Sequence, residues 1–193
     1  MTSFNEVIEG TASVQPENNQ QRSNATLSAV RRDWKASSVK NRLLRKNMDA
    51  RTQEIFDKQA IREVQNRYSY SIDCGQYDNL DVLFTPNAIY HFITGFTDDI
   101  KDLKKTIRDA LQPLTSSQHI NTNQWAEIEG DLAQAGCYFT VHMHKEGVAG
   151  GEHFEMGGRY DDELIRASDG WRFSKRAITI LWSEGNRQVR WQD

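Results

Sequence analysis

The chain has 193 residues and a formal net charge of −3, a size that allows one ordinary domain with an appendage. The net negative charge argues against a nucleic-acid partner, because phosphate neutralisation needs a positive surface. No apolar run reaches the roughly 18 residues of a membrane span, so we expect no membrane partner. Residues 1–10 lack the basic-then-apolar pattern of an export signal, which predicts a cytoplasmic protein.

The N-terminal extension, residues 1–51, differs in composition from the rest of the chain. Residues 1–28 are rich in Asn, Gln, Ser, Thr and Glu and are predicted to be disordered, whereas residues 30–51 are basic with a weak helical pattern. We expect the extension to be largely disordered or to pack on the domain or a partner subunit; contact with an anionic surface is the alternative. One folded domain is predicted over residues 52–185, followed by a tail, residues 186–193.

Hydrophobic periodicity changes from helical to strand-like near the middle of the domain. The first half is predicted to contain three helices, over residues 53–74, 77–84 and 98–114, and a short strand over residues 88–93. A Thr85-Pro86-Asn87 turn should end the second helix. The second half has four strand-like segments separated by turn signals, over residues 116–128, 131–145, 152–166 and 171–184. Helices followed by an antiparallel meander indicate an α+β domain, with the helices on one face of a curved sheet.

Alternation along the second long strand predicts which side chains face the core or a pocket. The inward set is Ala135, Cys137, Phe139, Val141 and Met143, and the outward set is Tyr138, Thr140, His142 and His144. The chain has two cysteines, Cys74 and Cys137, and both are interpreted as small buried hydrophobic residues.

Asp73 is a carboxylate in the most apolar part of the first predicted helix. Helical spacing places Tyr70 and Tyr77 within reach of it or of a shared ligand. The structural alternative is a helix-end carboxylate that accepts backbone hydrogen bonds. On the first long strand, period 2 puts His119 and Asn123 on one polar face with Ser117 and Asn121. This face is either a solvent edge or the polar wall of a cavity.

The hypothesis that joins Asp73 to His119 rests on acid–base chemistry. Histidine titrates near neutral pH, and a carboxylate on one ring nitrogen fixes the tautomer and stabilises the imidazolium that forms on proton uptake. No Ser or Cys lies in a nucleophile-elbow context, so a general base is favoured over a covalent mechanism.

His142 and His144 offer a rival hypothesis, because alternate strand histidines can chelate a metal together with Glu152 or His153. Gly136 and the following His-x-His imitate the start of a cupin metal motif. The expected acid comes too late, however, and both histidines are predicted to face away from the apolar side. We therefore expect no metal, and interpret these histidines as solvent or interface residues.

Five short motifs in this order resemble the SnoaL-like branch of the nuclear transport factor 2-like superfamily, over residues 52–185. They are a tyrosine, Tyr68 or Tyr70, leading to Asp73, then Leu-Phe-Thr-Pro-Asn-Ala at 83–88, Ser-Gln-His-Ile-Asn-Thr-Asn at 117–123, Gly-Asp-Leu-Ala at 130–133 and Asp-Gly-Trp-Arg-Phe at 169–173. The resemblance implies a cone-shaped α+β barrel with three helices packed on a strongly bent sheet around one pocket. The family includes scytalone dehydratase, hexachlorocyclohexane dehydrochlorinase, bile-acid dehydratase, polyketide cyclases and non-catalytic binding modules.

By position, the helix Asp and strand His of the family's lyases fall on Asp73 and His119, and an arginine of the dehydrochlorinase corresponds to Arg166. The dehydratase's Tyr directly before its Asp is replaced here by Ile72, so Tyr70 or Tyr90 would have to supply that hydroxyl.

The resemblance and the residues together predict a cofactor-independent lyase, of the dehydratase or dehydrohalogenase type, acting on a hydrophobic cyclic small molecule. His119 would be the base and Asp73 its orienting partner. The substrate contacts are expected from Tyr70, Tyr90, Asn123, Phe139 and Arg166. A cyclase or isomerase with the same pair, or a non-catalytic ligand-binding or dimerisation module, is the alternative. We expect no cofactor, and a homo-oligomer, either a dimer or a trimer.

Overall fold

The computed structural model describes residues 49–93 and 95–191. The predicted extension therefore lies outside the described residues up to position 48, as do the last two residues of the predicted tail. No helix in the described ranges is long and apolar enough to cross a membrane.

Helix α1 spans Ala50–Asp73, close to the predicted range of 53–74. Asp49 caps it by accepting a hydrogen bond from the Thr52 backbone N–H at 3.0 Å. Gly75 follows it in the left-handed conformation with φ 64°, which a glycine adopts without steric cost. The side chains that α1 buries are Asp57, Ile61, Val64, Gln65, Tyr68, Ser69, Ser71 and Ile72.

The apolar face of α1 differs from the predicted one at its N-terminal end. Helical periodicity predicts Ile55 and Phe56 on the apolar, buried face, but they are 62% and 58% exposed. Asp57 takes the buried position instead and is 1% exposed. A carboxylate is tolerated there because three side chains donate hydrogen bonds to it, as described below.

A 3-10 turn, Tyr77–Asn79, and a one-turn helix α2, Leu80–Leu83, follow α1. The expected Thr85-Pro86-Asn87 turn is wrong, since these residues belong to strand β1, Phe84–Phe92. The ladder between β1 and the last strand is irregular between Phe84 and Ile89. Pro86 lies in this interval, where its missing N–H breaks no regular ladder.

Strand β2, Gly95–Thr97, and helix α3, Ile100–Leu111, come next in the chain. The four long strands that end the domain lie within a few residues of their predicted ranges. They are β3, Ser116–Glu129; β4, Leu132–His144; β5, His153–Ala167; and β6, Gly170–Gly185. A second 3-10 turn, Arg187–Val189, follows β6.

The six strands form one sheet in the order β2-β1-β6-β5-β4-β3. Neighbours pair antiparallel except β1 and β6, which run parallel. The sheet is mostly antiparallel and does not close, because β2 and β3 remain its edges. Helix α1 packs across β3, and the core lies between the helices and the inner face of the sheet. The α+β fold class predicted from the sequence is confirmed.

The predicted inward face of β4 is the buried one. Its five residues, from Ala135 to Met143 in alternation, are each at most 3% exposed, whereas Tyr138 is 51% exposed. Cys137 is buried as expected, and burial raises the pKa of its thiol to about 11. The expectation for Cys74 is wrong: it follows the last residue of α1 and is exposed.

Candidate functional site

The carboxylate of Asp73 and the ring of His119 are in direct contact. Helix α1 ends at Asp73, and β3 brings His119 beside it, so that Nδ1 of the ring lies 2.6 Å from Oδ1 of the carboxylate. The backbone N–H of His119 donates to Oδ2 at 2.7 Å. The hydroxyl of Ser117 donates to Oδ1, also at 2.7 Å. The side chains of His119 and Asp73 are 8% and 14% exposed, so this contact is largely shielded from water.

These contacts determine the charge of Asp73 and the tautomer of His119. Burial raises the pKa of Asp73, but the hydrogen bonds from the His119 ring, from its backbone N–H and from Ser117 outweigh burial and lower that pKa below its ordinary value. An ionised Asp73 can only accept, so Nδ1 of His119 carries the proton that points at it. The second ring nitrogen, Nε2, is then left with a free lone pair.

His119 lines a cavity of about 510 Å³ that is mostly apolar. Its wall comes from α1, α3 and residues of all six strands. The wall includes the aromatic residues Tyr68, Tyr90, Phe139 and Tyr160, and one arginine, Arg190. A cavity of this size suits a small cyclic molecule, and its wall includes His119, whose Nδ1 is held by Asp73.

Two phenols on the cavity wall are hydrogen-bonded to each other, with the hydroxyls of Tyr68 and Tyr90 2.9 Å apart. Burial raises the pKa of Tyr90 and raises that of Tyr68 well above its ordinary value. Both phenols therefore stay protonated at neutral pH, and one of the two protons is left to donate to a ligand. Tyr90 was a predicted site residue; Tyr68 was missed as one, although its place on the buried face of α1 is readable from helical spacing.

A buried arginine, which the sequence analysis also missed, underlies this aromatic wall. Arg176 is 0% exposed, and its guanidinium carbon lies 4.4 Å from the ring centre of Tyr68 and 4.2 Å from that of Tyr160. Asp162 accepts two hydrogen bonds from it, at 2.7 and 2.8 Å. Burial would lower the pKa of Arg176, but Asp162 raises it, so the guanidinium stays charged.

A second cavity of about 440 Å³ lies on the other side of the pair and is lined by Asp73 and Ser117 but not by His119. Tyr77, one of the hydroxyls expected near Asp73, lines it together with Arg108, whose guanidinium lies 5.3 Å from the ring centre of Tyr77. Asp73 therefore separates a polar cavity from the apolar cavity that His119 faces.

The structure does not bring two of the expected substrate-binding residues into the apolar cavity. Tyr70 is 69% exposed on the outer side of α1. Asn123 is exposed and has a φ of 53°, within a register shift of the β3–β4 ladder between Thr122 and Trp125. This bulge interrupts the alternation that was to place Asn123 beside His119. Phe139 does line the cavity, with its ring centre 6.5 Å from that of His119.

Arg166 belongs to a separate cluster and does not line either cavity described above. It donates two hydrogen bonds to the buried carboxylate of Asp57, at 2.5 and 2.9 Å, and one to Asp131 at 2.8 Å. Trp171 and Gln53 also donate to Asp57, at 3.0 and 2.7 Å. Arg166 thus ties α1 to the far end of the sheet, and its expected role as a substrate contact is not supported.

The two histidines of the rival metal hypothesis pair with carboxylates on the outer side of the sheet. Nδ1 of His142 lies 2.9 Å from Glu155, and Nε2 of His144 lies 3.6 Å from Glu152. In residues 49–93 and 95–191, no group of three or more His, Cys, Asp or Glu side chains is placed to hold a metal ion.

A curved, mostly antiparallel sheet covered by helices, with a carboxylate–imidazole pair beside one apolar cavity, defines a class of α+β proteins with the nuclear transport factor 2-like fold. Residues 53–177 match the SnoaL-like domain family, which is well over half of the chain, so the protein belongs to that family. An uncharacterized protein of Mycobacterium tuberculosis is 29% identical over 131 residues, covering 65% of this chain and 86% of that protein.

Solved structures with low sequence identity share the fold. A protein assigned as a scytalone dehydratase, from Novosphingobium aromaticivorans, has a TM-score of 0.63 at 16% identity, covering 69% of this chain and 89% of that one. A hexachlorocyclohexane dehydrochlorinase of type 2 has a TM-score of 0.64 at 16% identity, with coverage of 75% and 98%. A nuclear transport factor 2-like protein of Salmonella enterica has a TM-score of 0.58 at 18% identity, with coverage of 67% and 94%. The resemblance stated from the sequence motifs is confirmed.

Proposed function

We propose that the protein is a cofactor-independent lyase, of the dehydratase or dehydrohalogenase type, acting on a hydrophobic cyclic small molecule. The observation that carries the proposal is the 2.6 Å contact between Asp73 and His119, together with the position of His119 on the wall of the apolar cavity. The solved structures with this fold include a dehydrochlorinase and a protein assigned as a dehydratase, which supports the same reaction class.

In the proposed reaction His119 is the general base. Its Nε2 takes a proton from a carbon of the ring, and the electron pair of that C–H bond forms a double bond to the neighbouring carbon. The leaving group departs from that neighbour with its own bonding pair. A hydroxyl takes the proton held on Nε2 of His119 and leaves as water, whereas a halide leaves as the ion and His119 then gives its proton to solvent. Asp73 stabilises the imidazolium, since its carboxylate accepts a hydrogen bond from the Nδ1–H group throughout the step.

Tyr90 is the proposed hydrogen-bond donor to the substrate oxygen on which negative charge develops. This oxygen is either a carbonyl oxygen next to the reacting carbon or the oxygen of the leaving hydroxyl. The phenol of Tyr90 lies on the same cavity wall as His119, and the hydroxyl of Tyr68 at 2.9 Å accepts from it or donates to it. A donor fixed in this way is aligned before the reaction, and such a donor typically contributes about 3 kcal/mol of transition-state stabilisation. Phe139 would contact the ring of the substrate.

The test is a comparison of wild type with His119→Ala on a panel of cyclic β-hydroxy and β-halo carbonyl compounds. Formation of a conjugated double bond is followed by ultraviolet absorbance. We expect the variant to lose about 10²–10⁴-fold in rate, which is the usual contribution of a general base. His142→Ala is the matched control, because His142 pairs with Glu155 outside the cavity. A His119→Ala protein with the wild-type rate would refute the role of the pair.

The products separate the proposed lyase from its alternatives. A cyclase or isomerase would use the same base and cavity but would return a product of unchanged mass, which mass spectrometry distinguishes from loss of water or halide. Compounds that bind in the cavity without conversion would favour a binding module.

We also infer that the protein is a homo-oligomer, a dimer or a trimer. Large aromatic side chains on the sheet are partly exposed, namely Trp125 at 48%, Tyr138 at 51% and Trp182 at 45%. Apolar surface of this kind is commonly covered by a second copy. Sedimentation equilibrium measures the mass independently of shape, and a monomer at micromolar concentration contradicts the inference. The cytoplasmic location and the domain boundaries stay predictions.

A further inference from the structure

Arg190 places a positive charge on the wall of the apolar cavity that His119 also lines. Its side chain is half-buried, and its guanidinium lies 5.4 Å from the ring centre of Trp191. Within residues 49–93 and 95–191, no carboxylate forms an ion pair with it and no side-chain hydrogen bond from it is formed. Burial lowers the pKa of Arg190, and no carboxylate offsets this effect. A charge that is partly removed from water in this way ordinarily has an opposite charge beside it.

The chain segment around Arg190 is held in place, so the position of the guanidinium is built into the fold. Asn186 donates hydrogen bonds to the carbonyls of Ala149 and Gly151, at 2.8 and 2.7 Å. Val189 is 2% exposed. The backbone N–H of Arg190 donates to the carbonyl of Arg187 at 3.0 Å, and Trp191 packs edge-on against Phe154 at 5.3 Å. Arg190 therefore lies between two packed residues, Val189 and Trp191.

The two other basic side chains on the cavity wall already have acidic partners. Lys105 pairs with Asp109 at 2.5 Å and is 72% exposed. His119 is engaged by Asp73, and Asp102 adds a negative charge near Lys105. Of the cations that line the cavity, Arg190 is the one left without an acidic partner among the described residues.

We propose that Arg190 binds a carboxylate of the substrate, so that the substrate is a cyclic organic acid. This inference rests on the proposed function, because it names the substrate class for the reaction at His119. A planar guanidinium matches a carboxylate through two parallel hydrogen bonds, which fixes both the position and the orientation of the bound molecule. Binding energy from a group remote from the reacting carbon can then be used to hold that carbon against Nε2 of His119.

The experiment measures binding, without turnover, of a naphthoate and of the naphthamide with the same ring attachment. The two probes have nearly the same shape and differ in charge. We expect wild type to bind the acid at least about tenfold more tightly than the amide, as charge-assisted hydrogen bonds require. Arg190→Gln should bind the two probes equally, while Arg190→Lys keeps part of the preference because the charge remains. Arg187→Gln is the matched control: Arg187 also contacts Trp191, at 5.2 Å, but does not line the cavity.

Thermal unfolding of all variants checks that they are folded, and Arg190→Lys keeps the test decisive if Arg190→Gln is unstable. Wild type with no preference for the acid, including binding of neither probe, overturns the proposal, as does an Arg190→Gln protein that retains the preference. His119→Ala tests binding of the acid independently of the proposed reaction. It should keep the preference for the acid, since binding at Arg190 does not need the base.

Discussion

Replacing Asp73 with Asn tests the candidate site more sharply than removing His119, because it changes a tautomer and leaves the shape nearly unaltered. In the native structure the Asp73 carboxylate accepts three hydrogen bonds, from the His119 backbone N–H, the His119 ring and the Ser117 hydroxyl. An amide has one acceptor oxygen and one donor nitrogen. The backbone N–H of His119 can only donate, so the amide oxygen must take the position of Oδ2.

This orientation places the amide nitrogen opposite Nδ1 of His119, at the position where the two native atoms are 2.6 Å apart. Two donors cannot face each other, so Nδ1 must give up its proton and the imidazole must carry it on Nε2. The hydroxyl of Ser117 can turn to accept from the amide. Nε2 of His119 then has no lone pair and cannot take a proton from a substrate. Asparagine in place of the aspartate of a serine-protease triad fails for the same reason, with a rate loss of about 10⁴-fold.

We expect Asp73→Asn to lower the rate by about 10³–10⁴-fold and to destabilise the fold by about 2 kcal/mol, from the loss of charge-assisted hydrogen bonds. The tautomer is measured without any substrate, by the nitrogen chemical shifts of ¹⁵N-labelled histidine near pH 8. Wild type should show the Nδ1–H form at His119 and the variant the Nε2–H form. Ser117→Ala is the control and should keep the wild-type tautomer. An Asp73→Asn protein that retains the Nδ1–H form and the wild-type rate would refute the reasoning.

Three further predictions concern the cavity wall, the ion pair between Asp57 and Arg166, and the loss of stability in acid. Tyr90→Phe should lower the rate by about 10²–10³-fold with little change in substrate binding, because it removes an aligned hydrogen-bond donor. Tyr70→Phe is the control: Tyr70 is exposed, so the rate should be unchanged in the same assay. Asp57→Asn should lower the free energy of unfolding in urea by about 3 kcal/mol, because it leaves the buried side of Arg166 unpaired; Asp161→Asn, in an exposed pair with Arg159, should cost less than about 1 kcal/mol. The pKa values of Asp73 and Asp57 are lowered in the folded protein, so the stability that these carboxylates contribute is present above their ordinary pKa of 3.8 and is lost as pH falls through their folded values. Urea titrations from pH 6 to about pH 2.5 should show this loss, and it should be smaller in Asp73→Asn; an equal loss in both proteins would count against the linkage.

The sequence predicts the order of helices and strands well because the apolar period changes once, from helical spacing to alternation, and the turns between the long strands carry clear signals. It predicts the pair at Asp73 and His119 because a carboxylate at an apolar helix end and a histidine on a polar strand face both require partners. It misplaces Asn123, because a bulge within a strand shifts the alternation without a residue that marks it. It misplaces Pro86, because a proline can enter a strand where the ladder is already irregular.

Arg166 shows why a carboxylate-rich core is hard to interpret from sequence. The described core holds three buried or half-buried carboxylates, Asp57, Asp73 and Asp162, and each has a strong hydrogen-bonding partner. Two of the partners are arginines, which stay charged at every pH that a protein experiences, so those pairs hold the fold together and cannot exchange a proton. Of these three carboxylates, only Asp73 is paired with a histidine, whose ring can act as a general base. The identity of the hydrogen-bonding partner, and not the burial of the acid, therefore distinguishes Asp73 from the other two carboxylates. That partner is His119 because β3 crosses the end of α1.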